Sequence, residues 1–168
     1  MSVFSGRWVT LLLVAFAMFG NAAYAALPVI GQMAPDFVLK SNAGVNTRLS
    51  EYRSEVILMN FWGSWCRSCR TELQQMELLF ADPAADVRVV SIFVDDDQVA
   101  ARSAVTDLRL TFPVLLDEGQ QISRLYDLPT LPVTVLIDRN GVVRFVHPGY
   151  KAGDEKLYRQ ELNQLLAE

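Results

Sequence analysis

The sequence is poor in cysteine and has no concentration of positive charge. Only 2 of its 168 residues are cysteines, which excludes a small domain held together by several disulfides. Lysine and arginine total 15 against 19 aspartates and glutamates, so the net charge is −4 and nothing indicates a nucleic-acid partner. The 9 glycines, 7 prolines and 51% hydrophobic residues exclude collagen-like and low-complexity chains. The composition and length are typical of one globular domain.

The N-terminal segment has the pattern of an export signal. One charged residue, Arg7, precedes the apolar run 8–19, which is shorter than the roughly 18–20 residues that span a bilayer. The tripeptide Ala23-Tyr24-Ala25 then matches the small-x-small pattern of a cleavage site. We therefore predict a signal peptide over residues 1–25 and a periplasmic domain over residues 26–168. An uncleaved membrane anchor is the alternative.

Hydrophobic periodicity and turn signals predict strands alternating with helices. The predicted strands are 37–39, 47–49, 56–62, 87–94, 112–116, 133–137 and 142–146. The predicted helices are one that follows the cysteines and stops at Asp82-Pro83, one over 99–110 that Asp95–Asp97 can cap, one over 120–126, and one that opens at Gly153-Asp154. This order predicts an α/β fold with helices on both faces of a sheet.

Both cysteines lie in one Cys-x-x-Cys motif, directly after the predicted strand 56–62 and at the start of a helix. Residues three apart in a helix share a face, so Cys66 and Cys69 can form a disulfide. Cys66 is nearer the helix N-terminus, where free N–H groups and the helix dipole favour a thiolate, and Arg67 adds positive charge. We predict that Cys66 is the nucleophile of a redox pair and that the more buried Cys69 is the resolving thiol.

Other uses of the motif fit the sequence less well. A structural disulfide that closes so short a loop stabilises little, and c-type haem attachment requires a histidine where Arg70 stands. A thiol peroxidase would carry Pro and Thr ahead of a single cysteine, where this chain has Gly63-Ser64-Trp65. A periplasmic copper-handling module that uses the two cysteines and His147 remains the alternative from a different class. Apart from this copper-handling alternative, the sequence predicts no metal site.

Several segments carry a resemblance to a known family: the lead-in Gly31–Phe37, the predicted hairpin before strand 56–62, Asn60–Cys69 (NFWGSWCRSC), the strand-helix-strand section 87–116, and Thr130–Asp138 (TLPVTVLID) with Asn140-Gly141. Together they resemble the exported TlpA/ResA/DsbE-type thiol-disulfide oxidoreductases. The resemblance implies a thioredoxin fold, with a central mixed sheet flanked by helices, an N-terminal β-hairpin and an inserted strand-helix section. It also implies thiol-disulfide exchange without a bound cofactor, because the dithiol itself carries the electrons.

The resemblance assigns roles to residues outside the motif. Pro132 matches the cis-proline that faces the dithiol, and the backbone of Leu131 would pair with an extended substrate segment. Trp65 would cover the dithiol with an apolar face, with core packing as the alternative. Glu72 would lie near the buried thiol and exchange a proton with it, with a solvated helix surface as the alternative. Asn60 occupies the place of a buried aspartate in ordinary thioredoxins, so an acid role falls to Glu72, to water or to no group at all.

The resemblance also implies partners. The substrate would be a disulfide-containing periplasmic protein, which the chain reduces. A membrane thiol reductant such as a DsbD/CcdA-like protein would then restore the dithiol. The sequence leaves the substrate open: an apocytochrome c, as in cytochrome c maturation, a copper-site protein, and the varied substrates of general repair all fit this chemistry.

Overall fold

The computed structural model describes residues 30–80 and 86–168. The predicted signal peptide over residues 1–25, the first residues of the predicted domain and the predicted helix stop at Asp82-Pro83 lie outside these ranges. Within them, the chain forms one seven-stranded mixed sheet with four α-helices. None of the helices in these ranges has the length and apolar character required to cross a bilayer. The predicted α/β class is confirmed.

The element bounds follow the hydrophobic pattern closely. The strands are β1 Val38–Ser41, β2 Asn46–Arg48, β3 Val56–Trp62, β4 Val87–Phe93, β5 Val114–Leu116, β6 Val133–Ile137 and β7 Val143–Pro148. The α-helices are α1 Arg67–Phe80, α2 Gln98–Leu108, α3 Gln121–Leu125 and α4 Asp154–Leu166. The predictions for β3 and β6 agree residue for residue, and the other predicted elements differ at their ends.

Helix α2 illustrates both a confirmed boundary and a wrong one. Asp97 caps its N-terminus, because the carboxylate accepts the N–H groups of Val99 and Ala100, each at 3.0 Å. The predicted C-terminal end at residue 110 is wrong. The helix ends at Leu108 because Arg109 adopts a left-handed conformation with φ 55°, which no apolar pattern reveals.

The order of the sheet is β2-β1-β5-β4-β3-β6-β7. The neighbours β3, β4 and β5 run parallel, whereas the hairpin β1–β2 and the strands β6 and β7 pair antiparallel with their neighbours. The hairpin joins the sheet through β5, and the section β4–α2–β5 extends it on the same side. This arrangement confirms the mixed sheet, the N-terminal hairpin and the inserted strand-helix section that the resemblance implies.

Strand β3 lies at the centre and is buried along its whole length. Its side chains alternate between two hydrophobic layers. Leu58 and Trp62 join one layer with α1, α2 and α4, and Met59 and Phe61 join the other with Tyr126, directly after α3. Asn60 points into the layer of α1 and α4, because it shares the parity of Leu58 and Trp62. The strand therefore brings a polar side chain into the core and ends at the loop that carries the cysteines.

Candidate active site

The two cysteines form a disulfide at the point where β3 ends and α1 begins. Their Cα atoms are 5.3 Å apart, and the N–H group of Cys69 donates to Cys66 Sγ at 3.2 Å. Cys66 immediately precedes the first residue of α1 and is 8% exposed, whereas Cys69 is fully buried. The hydroxyl of Ser68 lies 3.6 Å from Cys66 Sγ. The sulfur of Cys66 thus accepts a backbone N–H group and lies near a hydroxyl at a helix N-terminus, which is an environment that favours a thiolate.

Trp65 lies on the surface beside the dithiol. Its side chain is 64% exposed, so the core-packing alternative is wrong. The indole lies over Gly63, and a Cβ added at Gly63 would lie 2.9 Å from the ring. Glycine at this position therefore leaves room for the ring. The preceding Ser64 donates its hydroxyl to the Asp95 carboxylate, which ties the active-site loop to the segment after β4.

The Leu131–Pro132 peptide bond is cis, as the resemblance implies. The carbonyl of Pro132 accepts the N–H group of Gly149 at 2.7 Å, which joins this turn to the end of β7. Leu131 precedes the paired residues of β6, which begin at Val133. It lies beside the sheet without being part of the β3–β6 ladder, as expected for backbone that an extended segment can approach.

A groove of about 1000 Å³ extends from the dithiol to the turn that precedes Pro132. Trp65, Leu128 and Leu131 give it apolar walls, and Arg67 and Arg124 line it with positive charge. Two of the predicted substrate-binding residues, Trp65 and Leu131, therefore line the same cavity as Cys66, whereas Pro132 lies directly after its last lining residue. The apolar walls of the groove and the adjacent backbone of Leu131 can accommodate an extended peptide segment.

Glu72 is fully buried one helical turn after Cys69, so the solvated-surface alternative is wrong. One carboxylate oxygen, Oε1, accepts hydrogen bonds from the hydroxyls of Thr134 at 2.8 Å and Tyr158 at 2.9 Å. The other, Oε2, accepts one from Asn60 Nδ2 at 2.9 Å. Burial raises the pKa of Glu72 to about 7, although the three hydrogen bonds act in the opposite direction. A carboxyl with this pKa can exchange protons near neutral pH.

Sequence reasoning missed the residues that hold Glu72. Thr134 and Tyr158 lie 62 and 86 residues further along the chain, and nothing local connects them to the cysteine motif. Thr134 is the last residue of the Leu-Pro-x-Thr motif, but the motif alone assigns it no role. The signal that could have identified Thr134 is its hydroxyl within the buried strand 133–137, because a buried polar group requires a hydrogen-bond partner.

His147 does not join the cysteines. Its Nε2 atom lies 2.6 Å from a carboxylate oxygen of Glu161, and its ring packs on Tyr158 with centroids 4.9 Å apart. Within residues 30–80 and 86–168, no three side chains of the His, Cys, Asp and Glu types are grouped to hold a metal ion. The histidine that the copper-handling alternative requires is therefore engaged in a different contact.

Comparisons with curated proteins agree with this site. A family model described as the AhpC/TSA family matches residues 30–146. The thiol-disulfide oxidoreductase ResA of Geobacillus kaustophilus is 35% identical over 121 residues, which cover 71% of this chain and 70% of that protein. The thioredoxin-like protein YneN of Bacillus subtilis is 33% identical over 136 residues, which cover 79% of each chain.

Two solved structures are similar to this chain in fold as well as in sequence. A Chlorobium tepidum structure described as a thiol:disulfide interchange protein DsbE has a TM-score of 0.77 and 32% identity, and the match covers 82% of this chain and 98% of that one. A Bacteroides thetaiotaomicron structure described as a protein disulfide isomerase has a TM-score of 0.76 and 29% identity, and the match covers 83% of this chain and 91% of that one. The chain thus belongs to the AhpC/TSA family and, within it, to the thioredoxin-fold thiol-disulfide oxidoreductases similar to ResA and DsbE.

Proposed function

We propose that this oxidoreductase works in the reducing direction on disulfides of exported proteins. The observation that carries the proposal is the buried carboxyl of Glu72, one turn behind Cys69, whose pKa is raised by burial to about 7. A group of this kind exchanges a proton with the resolving thiol, and in its ionised form it opposes a second negative charge nearby. The remaining steps follow from the arrangement of the two sulfurs.

In the first step, the Cys66 thiolate attacks one sulfur of the substrate disulfide. A bond forms between Cys66 and that sulfur, and the other substrate sulfur leaves as a thiolate that takes a proton from solvent. The helix N-terminus and the nearby Arg67 favour the attacking thiolate. The partial exposure of Cys66 at the groove allows a substrate sulfur to reach it.

In the second step, Cys69 resolves the mixed disulfide. Glu72 accepts the proton of the Cys69 thiol, and the resulting thiolate attacks Cys66 Sγ and releases the second substrate sulfur as a thiolate. The proton on Glu72 returns to solvent or to the released thiolate. Two electrons have then passed from the dithiol to the substrate, and Cys66–Cys69 is oxidised. The dithiol carries both electrons, so no bound cofactor is proposed.

The direction of electron flow depends on which redox state the site stabilises. Surroundings that favour a thiolate stabilise the reduced dithiol and make a protein oxidising. The ionised Glu72 acts against this effect, because it disfavours negative charge on Cys69. The buried carboxyl therefore supports a protein that donates electrons.

Substrate docking is assigned to the groove beside the dithiol. The exposed ring of Trp65 offers an apolar face, and the backbone at Leu131 can pair with an extended segment next to Pro132. An unfolded or loop cysteine meets both requirements. The Cys-x-x-Cys pair of an apocytochrome c is one such substrate, since its thiols must be reduced before haem attachment.

The proposal includes export and a partner that restores the dithiol. The pattern in residues 1–25 supports a cleaved signal peptide, which leaves the domain 26–168 in the periplasm. Disulfides persist in that compartment, so an oxidised Cys66–Cys69 pair must be reduced by a dedicated donor. We assign this role to a membrane thiol reductant of the DsbD/CcdA kind.

The reduction potential of Cys66–Cys69 tests the proposed direction. A reducing protein should equilibrate nearer to thioredoxin, at about −270 mV, than to the oxidant DsbA, at about −120 mV. Glu72→Gln should raise the potential, because the charge that opposes the thiolate is removed. Glu77→Gln, which changes the same charge elsewhere on α1, is the matched control and should leave the potential unchanged. A wild-type potential near that of DsbA would overturn the reducing role.

A further inference from the structure

Tyr158 lies far from the cysteine motif in sequence but contacts its acid directly. It is fully buried on α4, and its hydroxyl donates to Glu72 Oε1 at 2.9 Å. The ring is held on one side by His147, with centroids 4.9 Å apart, and by the hydrophobic layer that contains α1. A phenol held by its ring leaves one soft torsion, the rotation of its O–H bond.

All three hydrogen bonds to Glu72 are suited to an ionised carboxylate. Asn60, Thr134 and Tyr158 each contribute a donor, from β3, β6 and α4 respectively. The Thr134 hydroxyl also accepts a hydrogen bond from Asn60 Nδ2 at 2.9 Å, so its position is set by two partners. Donors aimed at a buried carboxylate stabilise its charged form and offset part of the cost of burial.

The other titratable groups near this pair are few. Asp154 on α4 raises the pKa of Glu72 through its negative charge, and the Tyr150 phenol lies within electrostatic range of the same carboxylate. The Tyr150 hydroxyl, however, donates to Glu155 at 2.8 Å. His147, which faces the Tyr158 ring, is engaged with Glu161. Tyr158 is therefore the phenol that reaches the Glu72 carboxylate.

We propose that Tyr158 is a positioning residue for the redox reaction, whose hydroxyl orients the Glu72 carboxylate and stabilises its ionised form as the acceptor of the Cys69 proton. This inference rests on the proposed role of Glu72. When Glu72 takes the proton, the Tyr158 O–H can rotate and accept a hydrogen bond from the new carboxyl O–H, because a phenol is both donor and acceptor. The same contact thus serves both protonation states.

Resolution of a mixed disulfide provides the readout. The full-length protein in its reduced form reacts with dithionitrobenzoate, and release of the second thionitrobenzoate reports the attack of Cys69 on Cys66. Its rate should rise with pH as Glu72 ionises. Tyr158→Phe removes one donor and keeps the ring, so this rise should move to higher pH by about one pKa unit. Tyr150→Phe removes a neighbouring phenol hydroxyl that does not bond to Glu72 and should leave the profile in place.

A double-mutant cycle separates this inference from the role of Glu72. In Glu72→Gln the rise should move to the higher pH at which Cys69 itself ionises, because the attack still requires a thiolate, and adding Tyr158→Phe should change the profile no further. If Glu72→Gln moves the rise but Tyr158→Phe leaves it in place, the role of Tyr158 is wrong and that of Glu72 stands. If Tyr158→Phe shifts the profile equally in the Glu72→Gln background, Tyr158 acts through the fold and the inference fails. If Glu72→Gln leaves the rise at the wild-type pH, the role of Glu72 on which the proposed function rests is overturned.

A second variant covers the case in which Tyr158→Phe does not fold. A fluorinated tyrosine at position 158 preserves the shape and makes the hydroxyl a stronger donor. The rise should then move to lower pH, opposite to the shift expected for Tyr158→Phe. An unchanged profile with this substitution would also contradict the inference.

Discussion

Asn60 donates a side-chain hydrogen bond to Glu72 across 2.9 Å, which joins the central strand to the active-site helix inside the core. Both residues are fully buried. Since an amide does not titrate, the ionisable member of this contact is Glu72. The Oδ1 atom of Asn60 is buried without a hydrogen-bond partner among the described residues. Asn60 therefore contributes to this contact through its Nδ2 donor. The charge on one buried carboxyl therefore bears on the stability of the fold and, under the proposed function, on the chemistry of the dithiol.

The division of labour between the two sulfurs predicts which cysteine variant traps substrates. Cys69→Ser removes the resolving thiol, so mixed disulfides at Cys66 should accumulate with exported proteins. Cys66→Ser leaves only the fully buried Cys69 and should trap far fewer. Non-reducing electrophoresis of extracts that contain each variant measures the difference. Equal trapping by the two variants would contradict the assignment of Cys66 as nucleophile.

The raised pKa of Glu72 predicts how stability depends on pH. The folded carboxyl holds its proton up to a pKa of about 7, against 4.5 ordinarily. Its stabilising contribution is therefore fully present below about pH 4.5 and is lost as the pH rises through about 7. The oxidised protein should be less stable at about pH 8 than at about pH 5, by up to about 3 kcal/mol.

Urea unfolding of the oxidised protein at the two pH values measures this loss. Glu72→Gln should abolish most of the pH dependence, and Glu77→Gln should retain it. The lowered pKa values of Asp36, Glu155 and Glu168 concern carboxyls that titrate below this window, so they do not interfere. Equal pH dependence in Glu72→Gln and the wild type would contradict the raised pKa of Glu72.

The exposed ring of Trp65 predicts a selective effect on protein substrates. Trp65→Ala should raise KM for an unfolded protein disulfide by about tenfold, because an apolar docking face is lost. Reaction with a small disulfide such as dithionitrobenzoate should change little, since Cys66 is retained. Leu78→Ala is the control, because Leu78 is 76% exposed on α1 but does not line the groove. Equal loss with both kinds of substrate would assign Trp65 to the dithiol itself.

The export prediction is checked at the N-terminus. Protein recovered from a periplasmic extract should begin at Ala26, directly after the small-x-small tripeptide. N-terminal sequencing or intact mass measures this. Recovery from membranes alone, with Arg7 still present, would instead establish an uncleaved anchor.

Local patterns predict the parts of this site that lie close together in sequence. The apolar run predicts the buried strand 56–62 directly. The Cys-x-x-Cys motif and the helical periodicity that follows it predict the position of the dithiol at the start of a helix. The burial of Glu72 follows in part from helical spacing, because Leu73 and Met76 occupy the same buried side of α1. The cis bond at Pro132 is predicted by the family resemblance and not by the local sequence pattern.

The contacts that complete the site are long-range and leave no local signal. Thr134 and Tyr158 meet Glu72 only because β6 pairs with β3 and α4 packs on the same layer. Amphipathic periodicity predicts that Tyr158 belongs to a helix but does not reveal what its hydroxyl contacts. Likewise, the end of α2 depends on the left-handed backbone of Arg109, a residue type that rarely adopts it.

The pairing of β3 with β6 aligns Asn60 directly with Thr134. Side chains alternate along a strand, so a slip of β3 by one residue would turn Asn60 to the opposite face. Met59 and Phe61 would then face Glu72 and leave its charge without the amide donor. A slip of one residue in the central strand would therefore abolish the proton transfer that we propose for Glu72, with both cysteines intact.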